Sequence, residues 1–136
     1  MINCCGSILE LNSPKIMGIL NVTQDSFFDG GKYVYLKNIL KRVEQMILEG
    51  VDIIDIGGQS TRPNARFIDS IEESENVIPI IKEIKKEFSN VILSIDTFWS
   101  EVAEKSANEG VSIVNDVEVF MIHVFRCMID VEDESQ

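Results

Sequence analysis

Four short segments rich in isoleucine and valine recur along the chain, and they constrain its fold more than any other feature. They span residues 15–21, 51–57, 91–96 and 111–116. Each is mostly apolar without strict alternation, which is typical of strands covered on both faces of a parallel sheet. Because amphipathic stretches separate them, we predict the order βαβαβαβ, which implies a parallel sheet with right-handed crossovers.

The stretches between these segments carry helix signals. Residues 34–49 place apolar side chains on one face, as expected of a helix packed on a sheet. Ser70 and Glu73 have the spacing of a capping box and predict the start of the second helix. Residues 100–109 predict a third helix, which ends before a glycine.

The two ends of the chain depart from this pattern. Residues 4–11 predict a short hairpin, whereas residues 117–130 are apolar without a clear period and are assigned to neither a helix nor a strand. We therefore divide the chain into residues 1–117 and a tail of residues 118–136. The only histidine, His123, lies in the tail among apolar residues, and we interpret it as a packed residue rather than a catalyst.

The charge balance narrows the classes of partner. Lysine and arginine number 12 against 23 aspartates and glutamates, a net charge of −11. A surface of this sign repels nucleic acid and anionic lipid. Neither a secretory leader nor an apolar span of membrane length is visible, so we expect a soluble, cytoplasmic protein without nucleic-acid or membrane partners.

Polar side chains lie at or just after the C-terminal ends of all four predicted strands, and they belong to Asn21, Gln59 to Arg62, Asp96 and Asn115. Taken singly, such residues are often helix caps or turn formers. The carboxyl ends of parallel strands, however, lie at one edge of a sheet, where α/β proteins bind ligands. Four polar ends at the same edge therefore favour a ligand site.

The residue types at this edge indicate its chemistry. Arg62 stands beside Ser60 and Thr61 and after two glycines, an arrangement suited to an anion. Asn21 and Asp29 offer oxygen ligands for a hard cation such as Mg²⁺, which commonly also contacts phosphate oxygens. We therefore predict a magnesium-bound diphosphate as the ligand.

Asp96 and Asn115 suit a different part of a ligand. A carboxylate accepts hydrogen bonds from ring N–H groups, and an amide both donates and accepts. The pair is therefore predicted to bind a polar heterocycle.

The motifs ILNVTQDSFFDGG, DIIDIGGQSTRPNA, SIDT and IVNDV resemble, in order, those of the dihydropteroate synthase family. The resemblance covers residues 15–117. It implies an α/β fold of the TIM-barrel (β/α)8 type, here truncated to about four β/α units from the N-terminal half. It also implies condensation of 6-hydroxymethyl-7,8-dihydropterin diphosphate with 4-aminobenzoate to give 7,8-dihydropteroate and pyrophosphate in folate biosynthesis.

The resemblance implies roles for particular residues. Asp96 and Asn115 are expected to bind the pterin, and Asn21 and Asp29 to hold Mg²⁺ with the diphosphate. Asp96 and Arg62 are the expected catalytic residues. The aminobenzoate side is expected to be shaped by Phe27, Thr61, Arg62 and Pro63.

The sequence also departs from the family pattern at several positions. Gln24 stands where the family usually has proline, Phe28 where it has serine, and Trp99 where lysine is frequent. Gln59 replaces a glutamate and is expected to remove a charge, and Asn64 replaces a glycine. Trp99 is interpreted either as a packing residue or as part of the rim of the site.

A full barrel needs about 250 residues, whereas this chain supplies four clear strands. We therefore expect impaired activity and self-association through unpaired strand edges. Two alternatives stay open. One is a methyltetrahydrofolate-binding domain of the methyltransferase type, and the other is a non-catalytic pterin-binding or interaction protein that uses its acidic tail.

Overall fold

The computed structural model describes residues 1–4, 6–22, 31–59, 64, 66–116 and 121–124. An antiparallel hairpin of β1 (Ile2–Cys4) and β2 (Ser7–Leu9) comes first. The elements that follow are β3 (Met17–Asn21), α1 (Gly31–Leu48), β4 (Ile53–Gly57), α2 (Ser70–Glu87), β5 (Ile92–Asp96), α3 (Ser100–Asn108), β6 (Ile113–Asp116) and β7 (Met121–Val124).

The main sheet has the strand order β3-β4-β5-β6-β7. The first four strands are parallel, and a helix lies between each successive pair in the chain. The predicted α/β class is therefore confirmed, and the arrangement corresponds to about four β/α units of a TIM-barrel-type fold. An N-terminal hairpin is present as predicted, with Gly6 in its turn at a φ of +91°, but it spans residues 2–9 rather than 4–11.

The four predicted strands are present, but each begins one or two residues later than the apolar pattern indicated. Side-chain and loop bonds explain the difference at β3 and β4. The Ile16 N–H donates to Asp52 Oδ2 (2.8 Å), and the Asp52 N–H donates to the Ile16 carbonyl (2.9 Å). These residues join the two chain segments just before regular strand pairing starts.

The predicted capping box at the second helix is wrong. Asp69 is the N-cap of α2, and its Oδ1 accepts from the Glu72 N–H at 2.9 Å. Ser70 is instead the first helical residue. The Glu73 side chain is buried against the sheet, so it is not engaged at the helix end. Of the other two helices, α1 begins three residues and ends one residue earlier than predicted, and α3 ends one residue earlier.

One face of the sheet packs against the helices and forms the larger core. Residues that are in register across the four parallel strands line this face, and they are Leu20, Ile56, Ile95 and Val114. The opposite face is apolar where the strands begin. There Ile53, Ile92 and Ile113 pack with Cys4 and Leu9 of the hairpin. The hairpin therefore covers the end of the sheet farthest from the strands' carboxyl termini.

The tail contains a strand that sequence patterning did not assign. Met121–Val124 forms β7, which pairs antiparallel with β6 and places His123 in register with Val114. The fifth strand of the sheet, β7, therefore runs in the opposite direction to the four strands before it. Among the described residues, none of the helices has the length and apolar character needed to cross a membrane.

Asn64 adopts a left-handed backbone conformation with a φ of +65°. Glycine takes this conformation without strain, asparagine tolerates it, and alanine does not favour it. We expect Asn64→Gly to leave the free energy of unfolding unchanged or slightly higher. Asn64→Ala should lower it by about 1 kcal/mol, measured by urea denaturation. Both variants remove the same amide, so equal losses would contradict a conformational cause.

Candidate active site

The strand register brings the predicted polar residues into one row. Asn21 pairs with Gly57, Gly57 with Asp96, and Asp96 with Asn115. Asn21, Gly57 and Asp96 are the last residues of their strands and Asn115 is the last but one of β6, so all four lie at the same edge of the sheet. Sequence reasoning therefore placed Asn21, Asp96 and Asn115 correctly relative to one another.

The row lies on the face of the sheet away from the helices. Side chains alternate between faces along a strand, and the preceding residue of each strand faces the helical core. Gly57 leaves a space within the row, since a Cβ at this position would lie 3.4 Å from Asn21 Oδ1 and 4.0 Å from Asp96 Oδ2. Oxygen atoms from two strands therefore flank an open position.

Asp55 is a member of this site that the sequence-based prediction missed. It is 4% exposed, and its Oδ2 accepts from Asn115 Nδ2 at 3.0 Å. Its Oδ1 is buried without a hydrogen-bond partner in the part of the chain that the structure describes. A carboxylate inside an otherwise apolar strand was the available signal, because such a charge is costly to bury without a use.

The bond to Asp55 also fixes the orientation of the Asn115 amide. An ionised carboxylate only accepts hydrogen bonds, so the amide presents its NH₂ group to Asp55. Asn115 Oδ1 is consequently left as an acceptor for a ligand. Together with the Asp96 carboxylate of β5 and Asp55 Oδ1 of β4, it makes this part of the sheet rich in acceptors.

Glu73 lies behind this edge and was also missed as a site residue. It is 1% exposed, and its Oε2 accepts from Thr97 Oγ1 at 2.7 Å. Burial is the main cause that raises the pKa of the Glu73 carboxyl, and the charge of Asp96 raises it further. The Thr97 hydroxyl and the Gly58 backbone amide act in the opposite direction. Two carboxyl groups from α2 and β5 therefore interact at the strand end.

Gln59 organises the segment that follows β4. Its Nε2 donates to the Arg66 carbonyl, and its Oε1 accepts from the Ile68 N–H, both at 3.0 Å. The replacement of the family's glutamate was expected only to remove a charge. It also supplies a donor that an ionised glutamate lacks, and that donor bonds to the Arg66 carbonyl.

Three aromatic rings lie next to the end of β5. The ring centroid of Phe67 is 5.8 Å from that of Trp99 and 6.1 Å from that of Phe98. Trp99 is the N-cap residue of α3 and packs partly buried against the main core. Trp99 therefore packs, in contact with the Phe67 ring from the segment between β4 and α2, and its place at the rim of the site stays a prediction.

The remaining predicted site residues lie outside the described residues, and their roles stay predictions. They are Phe27, Asp29, Thr61, Arg62 and Pro63. The predicted magnesium site rests in part on Asp29. Within the ranges that the structure describes, there is no group of three or more histidine, cysteine, aspartate or glutamate side chains placed to hold a metal ion.

Comparisons with known proteins agree with this geometry. The sequence profile of a family described as "Pterin binding enzyme" matches residues 17–135. The chain is 49% identical over 112 residues to the dihydropteroate synthase of Streptococcus pyogenes serotype M1, an alignment that covers 82% of this chain and 42% of that protein. It is 47% identical over 108 residues to a mitochondrial folate synthesis bifunctional protein of Arabidopsis thaliana, covering 78% and 20%. The chain thus spans less than half the length of these relatives.

Solved structures give the same result. The dihydropteroate synthase of Xanthomonas albilineans with 4-aminobenzoic acid superposes with a TM-score of 0.76 at 40% identity, covering 86% of this chain and 43% of that one. The Yersinia pestis dihydropteroate synthase in complex with a sulfonamide drug gives a TM-score of 0.74 at 39% identity, covering 88% and 43%. The resemblance read from the four motifs is therefore confirmed.

The double role of Gln59 can be tested by Gln59→Glu. At neutral pH the new carboxylate loses the donor to the Arg66 carbonyl, which should lower the free energy of unfolding by about 1 kcal/mol. Below about pH 4 the glutamic acid is protonated and regains a donor, so the difference from the parent chain should shrink. Urea denaturation at both pH values measures it, and a variant as stable as the parent at pH 7 would contradict the assigned role.

The raised pKa of Glu73 predicts a pH-dependent stability. The protonated acid is favoured in the folded chain, so this contribution is fully present below the unfolded pKa of about 4.3 and is lost as the pH rises through the folded pKa. Glu73→Gln cannot ionise. The Tm of Glu73→Gln minus the Tm of the parent chain should therefore increase as the pH rises from 4 to 8.

The matched control for this prediction is Glu75→Gln, which changes an exposed acid of the same helix. Its Tm difference from the parent chain should be independent of pH. A Glu73→Gln difference that is equal at pH 4 and pH 8 would show that burial does not perturb the ionisation of Glu73.

Proposed function

Because the chain belongs to the family of pterin binding enzymes, we propose that its sheet edge binds a dihydropterin and serves the dihydropteroate synthase reaction. In that reaction, 6-hydroxymethyl-7,8-dihydropterin diphosphate and 4-aminobenzoate give 7,8-dihydropteroate and pyrophosphate. The names of the relatives and the 4-aminobenzoic acid held by the Xanthomonas structure support this choice.

The observation that carries the proposal is the cluster of acceptors formed by Asp55 within β4 and by the ends of β5 and β6. Asp96, Asn115 and Asp55 present carboxylate and amide oxygens on the same face of the sheet. A pterin ring carries an amino group and ring N–H groups along one edge, so its donors match these acceptors. Asp55 Oδ1 and Asn115 Oδ1 would both gain a partner when the ring binds.

Asp96 has an electrostatic role in this scheme. The bond between the pterin methylene carbon and the diphosphate oxygen breaks, and the electron pair leaves with the diphosphate. Positive charge develops on the methylene and the ring, and a carboxylate fixed beside the ring stabilises it. The arylamine nitrogen then forms the new C–N bond and gives up a proton.

The diphosphate would bind at the other half of the row, beside the ends of β3 and β4. Asn21 would hold Mg²⁺ together with Asp29, and the fit rests on Asn21 Oδ1, which borders the open space at Gly57. When bound, the ion neutralises charge that accumulates on the leaving diphosphate. Arg62 would add a forked cation, and the aminobenzoate would lie on the side of Phe27, Thr61 and Pro63.

A second candidate function is pterin binding without synthesis. In a (β/α)8 barrel all strands are parallel, whereas β7 lies antiparallel beside β6. The strand next to Asn115 therefore does not continue the barrel pattern. This observation favours a chain that keeps the ring-binding edge while losing turnover.

Two further expectations accompany the proposal. We place the protein in the cytoplasm, and we expect its exposed strand edges to support self-association. Neither is required for the ring-binding edge to act.

The proposal is tested by titrating the purified chain with the pterin diphosphate and Mg²⁺ in a calorimeter, followed by detection of dihydropteroate by mass after addition of 4-aminobenzoate. Asp96→Ala should weaken binding by about tenfold to a hundredfold, the range for a hydrogen bond to a charged group. Glu104→Ala, an exposed acid of α3, is the matched control and should bind as the parent chain does.

The outcomes separate the two functions. Product above a control without protein, lost in Asp96→Ala, supports synthesis. Binding without product supports the second candidate. Absence of binding by the folded parent chain would contradict both.

A further inference from the structure

Glu73 is the most deeply buried acid of the described residues, and the proposed chemistry does not use it. It lies in the first turn of α2, is 1% exposed, and makes no cap for its own helix. Burying a carboxyl group destabilises the fold unless other contacts offset the loss of hydration. The contacts of Glu73 with Thr97 and Gly58 lead to the ends of β5 and β4.

The first contact is with Thr97, the residue after Asp96. Thr97 Oγ1 accepts from the Trp99 N–H at 3.1 Å and donates to Glu73 Oε2 at 2.7 Å. A hydroxyl has a single proton, so the bond from Trp99 leaves that proton for Glu73. Thr97 is therefore held in one orientation between α2 and the start of α3.

The second contact is with the backbone after β4. A Cβ on Gly58 would lie 2.7 Å from Glu73 Cγ and 3.0 Å from Glu73 Oε1. The glutamate side chain thus packs directly on the main chain of Gly58. Gly58 follows Gly57, which pairs in register with Asp96. Glu73 therefore contacts the residues that directly follow β4 and β5, two neighbouring strands.

A third link extends this arrangement to β6. The Thr97 N–H donates to the Asn115 carbonyl at 3.3 Å. Through Thr97, the Glu73 side chain therefore contributes to the placement of both ring-binding residues, Asp96 and Asn115. The effect of the Asp96 charge on the Glu73 pKa agrees with the closeness of the two carboxyl groups.

We propose that Glu73 is a positioning residue for pterin binding, which holds the strand end at Thr97 so that Asp96 and Asn115 meet the ring in register. This inference rests on the proposed function. Glu73 does not touch the ligand; it acts through the Thr97 hydroxyl and the Gly58 backbone.

The test compares Glu73→Ala, Glu73→Gln and the matched surface variant Glu75→Ala in titrations with the pterin diphosphate and Mg²⁺, far below the Tm of each protein. Glu73→Ala should bind about tenfold more weakly or worse. Glu73→Gln keeps an oxygen acceptor for Thr97 and should restore the affinity to within about threefold of the parent chain. Glu75→Ala should be unchanged.

A purely structural role predicts a different pattern. The Tm of Glu73→Ala would then fall while the affinity of the folded protein stayed at the parent value, and that result would overturn the proposal. If Glu73→Ala does not fold, Thr97→Val decides the question, because it removes the donor while leaving the glutamate in place. Unchanged pterin affinity in Thr97→Val would equally overturn it.

A measurement without ligand keeps this inference distinct from the proposed function. Hydrogen exchange of the Thr97 amide, which bonds to Asn115, should be about tenfold faster in Glu73→Ala and return toward the parent rate in Glu73→Gln. If the parent chain binds no pterin while exchange follows this pattern, the proposed function fails and the anchoring of the strand end stands. Unchanged Thr97 exchange in a folded Glu73→Ala would refute the anchoring itself.

Discussion

The parallel register of β3, β4, β5 and β6 is the constraint on which both the core and the site depend. Side chains alternate between the two faces of a strand, so a slip of one residue would move every side chain to the opposite face. In the observed register, Leu20 and Ile95 pack beneath the helices, and the next residues, Asn21 and Asp96, emerge on the other face. The buried layer and the polar edge are therefore fixed together, and neither can be changed without the other.

Local signals account for much of this architecture. Apolar segments without alternation identified the parallel strands, and because such strands end at one edge, the row of Asn21, Asp96 and Asn115 followed from the order of elements alone. The first residues of the strands were predicted less accurately. An apolar residue whose backbone pairs with the neighbouring strand looks the same in sequence as one whose backbone is bound by a side chain. Ile16 is an example, since its N–H is bound by the Asp52 carboxylate before pairing begins.

The residues that sequence reasoning missed are those whose roles depend on neighbours distant in the chain. Asp55 becomes a site residue only because β6 brings Asn115 beside it, 60 positions later. Glu73 matched a local capping pattern, yet packing of α2 on the sheet turned it toward Thr97, and Asp69 took the cap. The two hydrogen bonds of Gln59 likewise depend on partners later in the chain, the Arg66 carbonyl and the Ile68 N–H.

The proposed substrate sets opposite electrostatic demands on the two halves of this edge. Acceptors at Asp55, Asp96 and Asn115 suit the donors of a pterin ring, but the two carboxylates repel a diphosphate. In a chain of net charge −11, the diphosphate needs local cations, and the predicted roles supply them as Mg²⁺ held by Asn21 and Asp29 after β3 and as the guanidinium of Arg62 after β4. The substrate should therefore lie across the sheet, with its ring over β5 and β6 and its diphosphate over β3 and β4. Gly57 lies between the two halves, and because it has no side chain the row is open there, so we expect the methylene that joins the ring to the diphosphate to lie over this position.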